Sequence, residues 1–101
     1  MLDLKDTKYE VHTTSKFRKN YKQITKQHKD IEKLIIVVEK LANGEELDSK
    51  YKNHNLKDDK YYKNCKELHI EPDWLLVYQI NNNELILLLV ATGSHSDLLE
   101  K

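Results

Sequence analysis

The chain changes its hydrophobic spacing several times, and each spacing predicts an element. Tyr9-Glu10-Val11-His12-Thr13 alternates with period two and reads as a short strand. Thr13, Thr14 and Ser15 then offer side-chain oxygens that can cap a helix. In that helix Phe17, Tyr21, Ile24 and His28 fall at i, i+4, i+7 and i+11, which puts them on one stripe. Asp30 can cap a second helix, where Ile31, Leu34, Ile35, Val38, Leu41 and Ala42 form a strong stripe. Asn43-Gly44 supplies its left-handed stop. Almost no chain separates the two helices, so they form a hairpin.

Residues 45–64 are polar and weakly patterned. They read as a long loop, with room for a helical turn or a short extended piece near His54–Leu56. Three strand-like runs follow, Lys66–Glu71, Trp74–Ile80 and Glu84–Thr92. Asn81-Asn82-Asn83 is a tight turn that makes the last two an antiparallel hairpin. Leu85–Val90 is apolar without interruption, which predicts a central strand covered on both faces. Gly93-Ser94-His95 ends it, and Ser94 or Ser96 can cap a last helical turn at Asp97–Leu99. The expected fold is α+β: an N-terminal strand, a helical hairpin, then an antiparallel three-strand meander with a short C-terminal helical turn.

Size and composition narrow the class. The chain has 101 residues, too few for two cores, so one domain spans 1–101. The single Cys excludes an internal disulfide and fits a reducing cytoplasm. No apolar run is long enough to cross a bilayer, and the charged N-terminus is no secretory signal, so no membrane is expected.

Seventeen basic and seventeen acidic residues leave no net charge, which argues against a nucleic-acid partner. The charges are segregated, however. Residues 16–33 carry +5, 34–49 carry −3, 50–66 carry +4 and 67–101 carry −5. Arg18, Lys22, Lys26 and Lys29 follow a ridge beside the first apolar stripe and point away from the core. A local basic surface is therefore compatible with overall neutrality.

His54, His69 and His95, with Asp73, are the polar residues that invite chemistry. Strand ends of a meander converge, so residues distant in sequence can share a site. Imidazoles exchange protons near neutral pH at little cost. The alternatives are ordinary half-buried histidines or a zinc site, although no close His pair supports the latter. Trp74 reads most simply as core, though an exposed aromatic can stack a base.

Three motifs then resemble a known family. His69-Ile70-Glu71-Pro72-Asp73-Trp74-Leu75-Leu76-Val77-Tyr78 resembles the HIxPDWxLxY signature of the YafQ branch of the RelE/ParE toxin superfamily. Thr92-Gly93-Ser94-His95-Ser96-Asp97-Leu98 resembles its TGSHSDL ending, and Asn53-His54-Asn55-Leu56-Lys57 its DHxL loop with Asn for Asp. The resemblance implies a RelE-like fold and a type II toxin that acts as a ribosome-dependent, metal-independent mRNA endonuclease without cofactor. The RNA 2′-OH would be the nucleophile. It further implies catalytic roles for His54, His69, Asp73 and His95, with Asp73 and His95 moving protons and His54 and His69 orienting or stabilising the phosphate.

On the same resemblance Trp74, Lys57 and Lys66 would contact substrate, and Arg18, Lys22, Lys26 and Lys29 ribosomal RNA. The partners implied are a cognate antitoxin, the ribosome and its mRNA, with operator DNA reached only through the antitoxin complex. Two departures stand out: Ala91 where many relatives carry Arg, and Leu99 where an aromatic is common. The other readings are a ParE-like toxin that binds gyrase without catalysis, and a weak paralogue that serves as antitoxin-binding co-repressor.

Overall fold

The first helix owes its limits to two backbone-satisfying devices. In the computed structural model, which describes residues 6–56 and 61–98, α1 runs Ser15–Lys26 and the Thr14 hydroxyl accepts from the Phe17 N–H at its start. At its end His28 adopts a left-handed φ of 61°. The Lys29 and His28 N–H groups then return to the Ile24 and Thr25 carbonyls. His28 therefore lies in the turn, exposed, and leaves the apolar stripe on which its spacing put it.

Helix α2 runs Ile31–Ala42 and is capped by the Asp30 carboxylate. Gly44, with φ of 75°, closes its far end through the same pair of returning N–H groups. A Cβ there would come within 2.9 Å of the Lys8 side chain, so the position favours glycine twice over. Leu34, Val38, Leu41 and Ala42 are buried as the stripe predicts, and Val37 joins them.

The strands are β1 Glu10–Thr13, β2 His54–Asn55, β3 Lys66–Glu71, β4 Trp74–Asn81 and β5 Ile86–Gly93. They form one sheet in the order β1-β5-β4-β3-β2. The meander is antiparallel as expected, while β1 pairs parallel with β5, which makes β5 internal. β5 starts later than its apolar run because Leu85 takes a left-handed φ of 53° in the turn and stays exposed. A single 3₁₀ turn, Ser49–Tyr51, precedes β2, and α3 is one turn, His95–Leu98. Leu99 lies outside the described residues.

The sheet has two differently covered faces. Leu68, Ile70, Trp74, Leu76, Tyr78, Leu87 and Leu89 pack with Phe17, Ile24 and the α2 stripe into the main core. The opposite face carries a smaller cluster of Leu75, Val77 and Ala91 with Tyr62, Cys65 and Leu98. Leu89 and Ala91 would share a face in a regular strand. The register shift at Val77/Tyr78 inserts Val90 as an extra residue and turns Ala91 to the other side. Leu88 and Val90 on that second face are only half-buried, so the apolar run is not fully covered on both sides.

Candidate active site

The side chains of Glu67 and His69 leave β3 on the face away from the helices, two residues apart on one strand. β2 pairs antiparallel with β3 and sets His54 opposite Glu67. The chain before His54 is anchored by the Tyr78 hydroxyl, which donates to Asn53 Oδ1 at 2.7 Å. This explains how Asn serves where the motif has Asp, since either side chain offers the accepting oxygen. Burial raises the Tyr78 pKa to about 12, so the phenol keeps the proton that it donates.

His54 and His69 converge on one carboxylate. His54 Nε2 lies 3.2 Å and His69 Nε2 3.7 Å from Glu67 Oε1. Each ring also meets a backbone carbonyl through Nδ1: His54 at Lys52 O, 2.8 Å, and His69 at Pro72 O, 3.3 Å. A carbonyl only accepts, so both Nδ1 atoms donate. Neutral rings would then aim bare Nε2 lone pairs at a carboxylate. The 3.2 Å contact is a hydrogen bond whenever one of the two groups carries a proton between them.

The Glu67 side chain is 5% exposed and those of His54 and His69 are 51% and 25%. The group thus presents two reachable imidazoles against one buried carboxyl group. Glu67 Oε2 is buried with no hydrogen-bond partner among the described residues, an uncommon state for a native polar atom.

Asp73 and His95 meet differently from the expected proton pair. Asp73 Oδ1 accepts from the His95 backbone N–H at 3.2 Å, and the Ser94 hydroxyl accepts from the Asp97 N–H at 3.1 Å. Both oxygens cap the short α3 turn and fix where the exposed His95 ring starts. The ring itself makes no hydrogen bond among the described residues. Gly93, at φ of 155°, turns the chain from β5 into α3, a conformation that side chains with a Cβ rarely adopt. The two groups join through the β3–β4 turn, since His69 bonds the carbonyl of Pro72, the residue before Asp73.

Trp74 is a core residue. It has no exposed surface, its indole N–H donates to Thr92 Oγ1 at 2.9 Å, and Lys29 Nζ lies 5.7 Å from its ring centroid. No ring face is left for a base. Lys66 shares strand parity with Leu68 and Ile70, so it projects from the helix side near Glu45 and Glu46, away from the imidazoles. Lys57 lies outside the described residues.

Lys22 and Lys26 are exposed on α1, while Arg18 is tied to Thr13 by two hydrogen bonds of 3.0 Å. Ala91 is buried under Tyr62 and Cys65, so its small size fits the packing there. Glu67 belongs to none of the three motifs. Its signal was strand parity: a carboxylate two residues before His69 on one strand must share that face.

Three comparisons bear on this arrangement. The family described as "Bacterial toxin of type II toxin-antitoxin system, YafQ" matches residues 9–100. The mRNA interferase toxin YafQ of Escherichia coli (strain B / BL21-DE3) is 32% identical over 90 residues, which cover 88% of this chain and 94% of that one. The E. coli DinJ–YafQ complex holds a chain similar in fold, with TM-score 0.81 and 32% identity over 90% of this chain and 98% of that one. A metal-bound toxin from Helicobacter pylori gives TM-score 0.83 and 43% identity, covering 90% of this chain and 99% of that one.

Proposed function

Because the chain belongs to the YafQ family of type II toxin–antitoxin toxins, we propose that it cuts mRNA on the ribosome by attack of the RNA 2′-OH, using its own histidines. The observation that carries this reading is the convergence of His54 and His69 on the buried Glu67.

In this reaction the 2′-oxygen bonds to phosphorus and the 5′-oxygen leaves. The products are a 2′,3′-cyclic phosphate and a 5′-hydroxyl. One group must take the 2′-OH proton and another must give one to the leaving oxygen. The imidazoles of the His54–Glu67–His69 unit can take or give a proton, and an imidazolium at His54 or His69 places positive charge against the charge that gathers on the phosphate. His95 supplies the second proton-transfer group from the far side of the β3–β4 turn. Asp73 is a positioning residue, because its carboxylate is engaged by the His95 backbone.

Lys22 and Lys26 on α1, with Arg18 and Lys29, supply cationic contacts to ribosomal RNA. A cognate antitoxin neutralises the toxin, in keeping with the E. coli relative crystallised with DinJ. Operator DNA is reached through that complex.

The test is cleavage of mRNA on translating ribosomes by the wild type and His95→Ala, each with and without a chelator that takes transition metals and leaves Mg²⁺ in place. The wild type should cut in both conditions and His95→Ala should lose most activity. Absence of wild-type cleavage refutes the enzyme. Loss on chelation transfers the chemistry to a metal, a relevant arm because the Helicobacter relative is described as metal-bound.

A further inference from the structure

β2 pairs with only the first two residues of β3, so among the described residues the outer edge of β3 from His69 to Glu71 has no strand beside it. A groove of about 490 Å³ opens there, between α2, the 3₁₀ turn and the β3–β4 turn. That volume lies within the roughly 300–1,000 Å³ over which proteins hold small ligands. Ile36, Ile70, Pro72 and Tyr51 give it an apolar lining, and Ile36 is left 41% exposed at its mouth. An exposed isoleucine beside an aromatic ring is a surface that gains by being covered.

The rim is basic. Lys33 is paired with Glu71 at 2.8 Å, but Lys50 and Lys52 form no salt bridge among the described residues. Lys50 Nζ lies 5.2 Å from the Tyr51 ring centroid, so a cation and an aromatic face are offered together. Lys52 takes a left-handed φ of 50°, which swings the chain from the 3₁₀ turn into β2. Its carbonyl is also the one that holds His54. His69 lines the groove and belongs to the Glu67 cluster as well, so the groove is the continuation of the candidate site.

We propose that this groove holds the nucleotide next to the scissile phosphate, its base against Tyr51 and Ile36 and its phosphate at Lys50 and Lys52. The inference rests on the ribonuclease reading and deepens it by naming a substrate subsite. A chain whose phosphate lies at His69 must continue past that ring, and the groove is the adjoining concavity. Bases stack on aromatic and apolar surfaces with little regard to sequence, and lysine meets a phosphodiester as a point charge. The subsite contributes affinity and register, with a bias toward bases that stack well.

The test uses the full-length toxin in two assays. The first follows chemical shifts while a trinucleotide, 2′-O-methylated at the cut position, is titrated in. Signals of Ile36 and Tyr51 should move together with those of His69. The second measures cleavage on ribosomes by Lys50→Gln/Lys52→Gln and by Ile36→Ser, all exposed positions outside the core. The double variant should lose about tenfold or more in single-turnover efficiency, as expected for lost charge-assisted contacts. The serine variant should weaken the bias for the neighbouring base.

Shifts confined to His69, or full cleavage by the double variant with unchanged base bias, overturn the subsite while leaving the ribonuclease intact. If the wild type fails to cut yet the trinucleotide still moves Ile36 and Tyr51, the subsite stands as an RNA-binding groove and the ribonuclease reading fails. Lost antitoxin affinity in the double variant with unchanged cleavage assigns the groove to an acidic protein segment and refutes the proposal.

Discussion

Thr92 shows how a motif residue can serve the site without touching substrate. Its hydroxyl accepts from the Trp74 indole at 2.9 Å and donates to the Leu75 carbonyl at 2.7 Å, while its backbone N–H reaches Asn20 on α1. Thr92→Ala would leave two buried groups unpaired and should cost roughly 2–4 kcal/mol in denaturant unfolding, whereas Thr92→Ser retains the bonds and most of the stability. Tyr78 gives a second prediction. Its folded pKa of about 12 exceeds the ordinary phenol value of 10.0, so the folded state keeps a proton that the unfolded state releases between those values. Stability should be constant below pH 10 on this account and fall from pH 10 toward 12. Tyr78→Phe should flatten that fall, as read by unfolding across the alkaline range. The motifs made His54, His69, Asp73 and His95 legible at this scale. Glu67 was not, because a carboxylate on a strand looks like any solvated position until its burial is known. Trp74 was ambiguous for the converse reason: a buried indole and a stacking platform have the same spacing.

Among the elements, hydrophobic periodicity located both helices and the meander, since burial on one face leaves a repeat that survives in the sequence. Termini were legible where a residue announces them, as Asp30 and Gly44 do. They were hidden where an ordinary side chain accepts a left-handed backbone, as His28 and Leu85 do. His28→Gly should therefore raise the unfolding free energy by up to about 1 kcal/mol, measured in denaturant, because glycine takes that conformation without a steric penalty. The bulge at Val90 was equally hidden, for an extra residue inside an uninterrupted apolar run changes no local pattern. It matters to the site. Without it, the last residues of β5 would project to the opposite faces, and Thr92 would lose Trp74.

For the whole molecule, charge placement outweighs charge total. Neutrality leaves little long-range attraction, so binding to RNA must come from local patches such as exposed Lys22 and Lys26 on α1. Ribosome affinity should fall linearly on logarithmic axes as salt rises, and Lys22→Gln/Lys26→Gln should reduce that slope by about 1–2. An unchanged slope would remove α1 from the ribosome-facing surface. One result follows from 2′-OH attack above all. The measurement is cleavage of ribosome-bound mRNA against the same message with a single 2′-deoxynucleotide at the cut position. The all-ribose message should be cut to a 2′,3′-cyclic phosphate and the deoxy message should stay whole. Equal cutting of both, or cutting of neither, would contradict 2′-OH attack directed by the His54–Glu67–His69 unit and His95.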